Sequence, residues 1–261
     1  MAVPIETKPR KLKMLDLFSG IGGFSLGLER TNGFETVAFC EIEPYPQAVL
    51  RKHWPNVPIY DDIRTLTAER LKSDGISVDV ITGGFPCQDL SVAGKQAGID
   101  GERSGLWKEL CRIISEVRPQ YAIVENVPTL LSGDRGRWFG RVLGDLAEIG
   151  YDTEWHCIPA SAIGAPHRRD RIWIIARCRE AMADTESPRF QTCYVGQREI
   201  EFGRRNCGAS QWSVEPDVGR VANGVSAYVD RLTSLGNAVV PQIPQILGEA
   251  ILQAEEIKNG Q

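Results

Sequence analysis

The chain has 261 residues, enough for one large α/β domain, or for one such domain with a small appendage. It is 42% hydrophobic and 25% charged, the composition of a folded chain and not of a disordered one, and no stretch nears the roughly 18 consecutive apolar residues of a spanning helix. Its formal net charge of -4 counts modestly against a protein that coats nucleic acid nonspecifically, because phosphate binding is driven by positive charge and counterion release.

The seven cysteines contain no Cys-x-x-Cys pair, so neither a zinc ribbon nor a disulfide framework is expected, and no metal site is assigned. Residues 1–13 hold no apolar core followed by a small-residue cleavage site, and a cytoplasmic protein is expected.

Short β-branched runs alternate with longer amphipathic ones over the first two thirds, the pattern of a parallel sheet flanked by helices. The first candidate strand, Lys13–Phe18, runs into Asp16-Leu17-Phe18-Ser19-Gly20-Ile21-Gly22-Gly23-Phe24, a turn where a ligand can approach bare backbone before a helix opens. A dinucleotide fingerprint needs glycine at the sixth position from Gly20, but Ser25 stands there, which disfavours a pyrophosphate.

The second strand, Thr36–Cys40, ends at Glu41, a carboxylate about 20 residues on that can hold two ribose hydroxyls. Asp62 follows at the third position of the series. Acidic groups at three successive strand or loop ends suit a cofactor with a ribose, an exocyclic amine and a positive charge but no phosphate, and S-adenosylmethionine fits.

Val78–Thr82 leads into Gly83-Gly84-Phe85-Pro86-Cys87-Gln88. A cysteine after proline at the carboxyl end of a buried strand is a candidate nucleophile, although a single buried cysteine is commonly inert packing. The helix predicted over Ser104–Arg118 repeats Leu106, Trp107, Leu110, Ile113, Ile114 and Val117 at three- and four-residue spacing, with Pro119 as its stop, and this stripe is read as core. Tyr121–Val124 then delivers Glu125 to the same edge as Cys87. A helix over Arg137–Ile149 closes at Gly150, and strands follow over Asp152–Ile158 and Arg171–Arg177. From Glu180 to about Asn223 periodicity is lost. Regular structure returns over Val225–Leu235, then a Gly-Asn turn, then a helix opened by Pro241 and running to about Ile257.

Asp16 to Gly23, Gly84-Phe85-Pro86-Cys87-Gln88, Glu125-Asn126-Val127 and Gly236-Asn237-Ala238-Val239-Val240-Pro241, in that order, resemble the ordered motifs of the DNA (cytosine-5) methyltransferases. The resemblance spans about residues 12–178 and 225–250. It implies an α/β, Rossmann-like S-adenosylmethionine-dependent methyltransferase fold with a mostly parallel sheet. The catalytic part would be 1–179 with 224–258, and 180–223 would be a small target-recognition region. It also implies that Phe18, Gly20, Gly22, Gly23, Glu41, Ile42, Asp62, Ile63, Pro86, Asn237 and Ala238 surround the cofactor, with Ile42 on the adenine and Phe18 near the methionine part. Cys87 would be the nucleophile and Glu125 the assisting acid. Pro166-His167-Arg168-Arg169-Asp170-Arg171 resembles the family's Gln-Arg-Arg-x-Arg signature, with His167 in place of glutamine, Arg169 and Arg171 as active-site arginines and Arg168 toward DNA. Gln88, Ser91, Lys95 and Arg103, on the glycine-rich stretch after the nucleophile, would also meet DNA. The family's Arg-Glu signature before the last motif is not evident, and this variant form is reminiscent of phage- and prophage-borne members.

The resemblance implies methylation of cytosine C5 in a specific sequence of duplex DNA, through a Cys adduct at C6 of a flipped-out base, by a monomer with no membrane association. A cognate restriction endonuclease acting independently is a further expected partner. RNA as substrate and a DNA-binding relative without catalysis remain alternatives; a nicotinamide-dependent oxidoreductase is disfavoured by Ser25. The charge argument is relieved locally, since residues 160–179 carry Arg168, Arg169, Arg171, Arg177 and Arg179 against Asp170 alone.

Overall fold

A computed structural model describes residues 10–86, 105–179 and 234–259. Seven strands form one sheet: β1 (Leu12–Leu17), β2 (Phe34–Cys40), β3 (Ile59–Tyr60), β4 (Val80–Gly84), β5 (Tyr121–Asn126), β6 (Tyr151–Pro159) and β7 (Asp170–Cys178), in spatial order β3-β2-β1-β4-β5-β7-β6. Pairing is parallel from β3 through β5, and β7 runs antiparallel to both β5 and β6. The expected mostly parallel sheet is therefore present. The chain winds outward from β1 to β3 and then returns to place β4 on the other side of β1. Such a reversal leaves a crevice at the carboxyl ends of the two central strands, where ligands of open α/β sheets bind.

The connecting helices are α1 (Gly23–Glu29), α2 (Pro44–His53), α3 (Ala68–Ser73), α4 (Gly105–Val117), α5 (Thr129–Ser132) and α6 (Arg137–Glu148). A helical turn over 234–237 (α7) and α8 (Gln242–Asn259) complete the described residues. The expected Gly236-Asn237 turn is the end of α7. Gly150, with φ of 89°, ends α6 as its sequence position predicts.

Alternation along the strands divides the core in two. Leu15, Leu17, Ile81, Ala122, Val124, Ile172 and Ile174 face α4 and α6 on one side, where Trp107, Leu110, Ile114, Val142 and Leu146 are buried. Met14, Val80, Tyr121, Ile123 and Trp173 face α1 and α8 on the other. Each such side chain contributes about 1.5–3 kcal/mol on burial. Strands buried on both faces read as continuous apolar runs, which is why they were legible.

α8 is seated by missing side chains. A Cβ at Gly27 would stand 2.1 Å from the Pro241 carbonyl oxygen, one at Gly23 would stand 2.5 Å from that of Val239, and one at Gly248 2.8 Å from Leu28. The last described segment thus packs against the first helix at near-backbone contact.

Candidate active site

At the exit of β1 the chain turns sharply. Phe18 holds a left-handed φ of 51°, a conformation costly for a residue with a side chain, and Gly20 follows at 53°. Ser19 stabilises the turn, its hydroxyl donating to the Asp16 carbonyl at 2.5 Å and accepting from the Cys40 amide at 3.3 Å. The Gly20 amide donates to Glu41 Oε2 at 2.7 Å, and the Glu43 amide donates to Oε1 at 2.8 Å. Each Glu41 oxygen is anchored once and retains acceptor capacity. Burial pushes the Glu41 carboxyl above its ordinary range, opposed by these amides. A Cβ at Gly20 would meet nothing within 4 Å, so the space above that amide is open.

Beneath the turn, Asp16 is fully buried. Ser25 donates to its Oδ2 and Thr82 to its Oδ1, each at 2.8 Å, so one carboxyl joins β1, α1 and β4. Burial raises its pKa from 3.8 to about 7. Ser25, which breaks the dinucleotide pattern, therefore has a structural partner.

Farther along the edge, Ile42 is 58% exposed, and Asp62 is held by its neighbour Arg64 through paired contacts of 2.8 and 3.0 Å. That hydrogen bonding holds the Asp62 carboxyl below its ordinary range.

On the opposite side of β1, β4 ends at Gly84 and continues through Phe85 and Pro86 toward Cys87. Asn126, buried at the end of β5, donates from Nδ2 to the Phe85 carbonyl at 3.1 Å and accepts from the Val127 amide at 2.7 Å. It fixes the backbone two residues before the thiol. Glu125 pairs with Gly84 in the ladder, and a Cβ at Gly84 would lie 2.9 Å from Glu125 Oε2. Arg171 Nε lies 2.7 Å from Glu125 Oε1, with the two side chains 22% and 13% exposed. Burial pushes the Glu125 carboxyl up, and Arg171 followed by Arg169 opposes that shift.

Phe18, Gly20, Glu41, Ile42, Asp62, Ile63, Pro86, Glu125, Arg171, Asn237 and Ala238 line one cleft of about 1400 Å³. Gly22 and Gly23, expected beside them, do not line it. A Cβ at Gly22 would stand 2.7 Å from the Trp54 ring, and Gly23 abuts Val239. Arg169 also stands behind the lining. Its Nη1 donates to the Gly236 carbonyl and its Nη2 to that of Ala238 at 2.8 Å, tying the returning segment to β7. Arg168 is 83% exposed and pairs with Asp170 at 2.9 Å. Cys87, Gln88, Ser91, Lys95, Arg103 and the expected target-recognition region 180–223 lie outside the described residues.

Sequence reasoning missed other lining residues. Leu106, read as part of the core stripe, opens α4 and faces the cleft. Asn126 was quoted within a motif but given no role. The signal for Leu106 was its position in the first turn of α4, before the stripe becomes fully buried. Among the described residues there is no cluster of acidic, cysteine or histidine side chains fit to hold a metal, and no helix long and apolar enough to cross a membrane.

A glycine turn, an anchored carboxylate and a carboxylate–guanidinium pair thus stand together in one cleft at the carboxyl edge of an α/β sheet. The family model for C-5 cytosine-specific DNA methylases matches residues 12–201, and the chain belongs to that family. Type II methyltransferase M2.BsuMI of Bacillus subtilis (strain 168) is 41% identical over 169 residues, covering 63% of this chain and 42% of that protein. Type II methyltransferase M1.ScrFI of Lactococcus lactis subsp. cremoris is 35% identical over 182 residues, 69% of this chain and 46% of that one. The chain thus spans less than half the length of these relatives. Among solved structures, a prophage-encoded Escherichia coli protein described as a DNA modification methyltransferase superposes with a TM-score of 0.57 at 29% identity, over 66% of this chain and 48% of its own. The S. pombe Dnmt2 methyltransferase shares the fold at 23% identity and a TM-score of 0.52, over 65% and 50% of the two chains.

Proposed function

We propose that the chain transfers a methyl group from S-adenosylmethionine to C5 of a cytosine in duplex DNA. The observation that carries this reading is the Glu125–Arg171 pair, set on the strand beside the one that leads into Cys87 and within the same cleft as the Gly20–Glu41 contact.

The residues present fit the cofactor. Glu41 retains acceptor capacity for ribose hydroxyls, the exposed Ile42 offers a flat apolar surface to an adenine, and Asp62 is an acceptor for an exocyclic amine. Gly22, the last residue before α1, packs its bare Cα against the Trp54 ring and not toward the cleft lining. When bound, the cofactor supplies an electrophilic methyl group on a sulfonium.

Cytosine C5 is a poor nucleophile, and the side chains supply what it lacks. The Cys87 thiolate adds to C6, while Glu125 donates a proton or hydrogen bond at N3, and C5 becomes an enamine carbon able to accept the methyl. The C5 proton then leaves to a base, the thiolate is expelled as the C5–C6 double bond re-forms, and the N3 proton returns to the Glu125 carboxylate. Burial keeps Glu125 able to hold a proton, and Arg171 limits that shift and orients the carboxyl. A base within a duplex cannot present C6 to a thiol, so the target is flipped out at a cost of a few kcal/mol. Target choice is assigned to residues 180–223, and a cognate endonuclease, if present, acts on the same sequence independently.

Bisulfite sequencing of host DNA after expression of the wild type and of Cys87→Ser tests this reading. Protected cytosines in the wild type alone are expected, and their context gives the target sequence. Identical conversion in both would overturn it.

A further inference from the structure

We infer that Arg112 is a positioning residue for the adenine end of the cofactor cleft, acting from the back of the loop that carries Asp62 and Ile63. This rests on the reading of the cleft as a cofactor site.

Arg112 lies on α4 and reaches across to the segment between β3 and α3. Its Nη2 donates to the Ile63 carbonyl at 2.8 Å and its Nη1 to the Leu66 carbonyl at 3.0 Å. Two carboxylates of its own helix hold the guanidinium in that pose, Glu109 at 2.7 Å and Glu116 at 2.8 Å. Glu116 also reaches the same segment directly, its Oε2 accepting from the Ala68 amide at the start of α3 at 3.1 Å. Three anchor points, at residues 63, 66 and 68, therefore hold a loop whose cleft side presents Asp62, Ile63 and Arg64.

The loop has turn hydrogen bonds of its own, from the Thr65 amide to the Asp62 carbonyl at 3.2 Å and from the Leu66 amide to the Ile63 carbonyl at 3.3 Å, but these shape it locally and do not tie it to α4. Ile63 and Leu66 are buried apolar anchors, but Asp62 and Arg64 bind chiefly each other. A planar guanidinium is suited to this task, because it satisfies two carbonyls in a fixed fork while remaining charged. α4 starts at Gly105 and carries Leu106, another cleft residue, so the anchor sets the Asp62 side of the cleft against the α4 side.

The test is calorimetric titration of the purified 261-residue chain with S-adenosylmethionine, together with steady-state kinetics on duplex DNA. Arg112→Met is expected to weaken cofactor binding about tenfold and raise the cofactor KM by a similar factor, with kcat at saturating cofactor retained. Arg112→Lys, which keeps charge but not the fork, is expected to fall between. Ser115→Ala, at an exposed position of the same helix outside the Glu109–Arg112–Glu116 group, is the control and should bind as the wild type does. Wild-type affinity in Arg112→Met, or an equal loss in Ser115→Ala, overturns the positioning role. If Arg112→Met does not fold, Arg112→Lys decides: wild-type affinity there also overturns it. Failure of the wild type itself to bind S-adenosylmethionine would instead sink the cofactor reading.

Discussion

Arg171 Nε and Glu125 Oε1 meet at 2.7 Å across the antiparallel strands β7 and β5. Both side chains are mostly withdrawn from water, so the pair is asymmetric to mutation. Arg171→Met leaves a buried carboxyl without its cation and is expected to cost about 3–5 kcal/mol, read from urea unfolding midpoints. Glu125→Gln keeps a neutral hydrogen-bonding partner and is expected to fold normally while losing roughly 10²- to 10⁴-fold in kcat. Cofactor affinity in Glu125→Gln should be unchanged by titration; undiminished methyl transfer by this variant would remove Glu125 from the chemistry.

Asp16 gives a pH signature. Its pKa rises from 3.8 to about 7 through burial, so between those values the folded chain holds a proton that the unfolded chain releases. Stability is then lost as pH rises through this window, by up to about 1.4 kcal/mol per pH unit. Asp16→Asn fills the same space and does not ionise. Relative to the wild type it should gain stability as pH is raised from about 5 to about 8, and parallel unfolding curves over that range would refute the assignment.

Gly20 and Gly22 are expected to respond differently to alanine. Both have positive φ, but only at Gly22 does the added methyl collide, 2.7 Å from Trp54 and 3.1 Å from Leu50. Gly22→Ala should lose about 1–3 kcal/mol in thermal unfolding. Gly20→Ala should lose only about 1 kcal/mol, yet weaken cofactor binding more, because its methyl enters open cleft above the amide that meets Glu41. Equal stability losses would contradict the packing described.

Arg169 and Arg168 are adjacent in sequence and unlike in duty. Arg169→Met removes the tie to the carbonyls of Gly236 and Ala238 and should loosen the Asn237–Ala238 wall, raising the cofactor dissociation constant about tenfold. Arg168→Met breaks only an exposed ion pair and should unfold within about 0.5 kcal/mol of the wild type, its effect confined to salt-dependent DNA affinity.

Much of the sheet was legible because two-sided burial writes strands as apolar runs, and because glycine, proline and cysteine punctuate their exits. β5 was expected to stop at Val124 but pairs on to Asn126, since Ile172 and Trp173 continue the ladder past the polar residues. β3 escaped notice because Ile59–Tyr60 is too short to show a period, and α2 because Pro44 and Pro46 disguise its first turn. Contacts between residues distant in sequence were not legible. Nothing local says that Glu41 binds the Gly20 amide, or that Arg169 spends its guanidinium on the carbonyls of Gly236 and Ala238.

The bare glycines under α8 make the two ends of the fold complementary to each other, independent of whatever chain runs between β7 and α7. A methyl at Gly27 would push Pro241 away and so disturb Asn237 and Ala238, more than 200 residues along. Lengthening the stretch between costs only about 0.6 kcal/mol per doubling. The contacts that seat α8 on α1 therefore set the spacing of the cleft walls at Gly20 and Ala238 without reference to the length of that stretch.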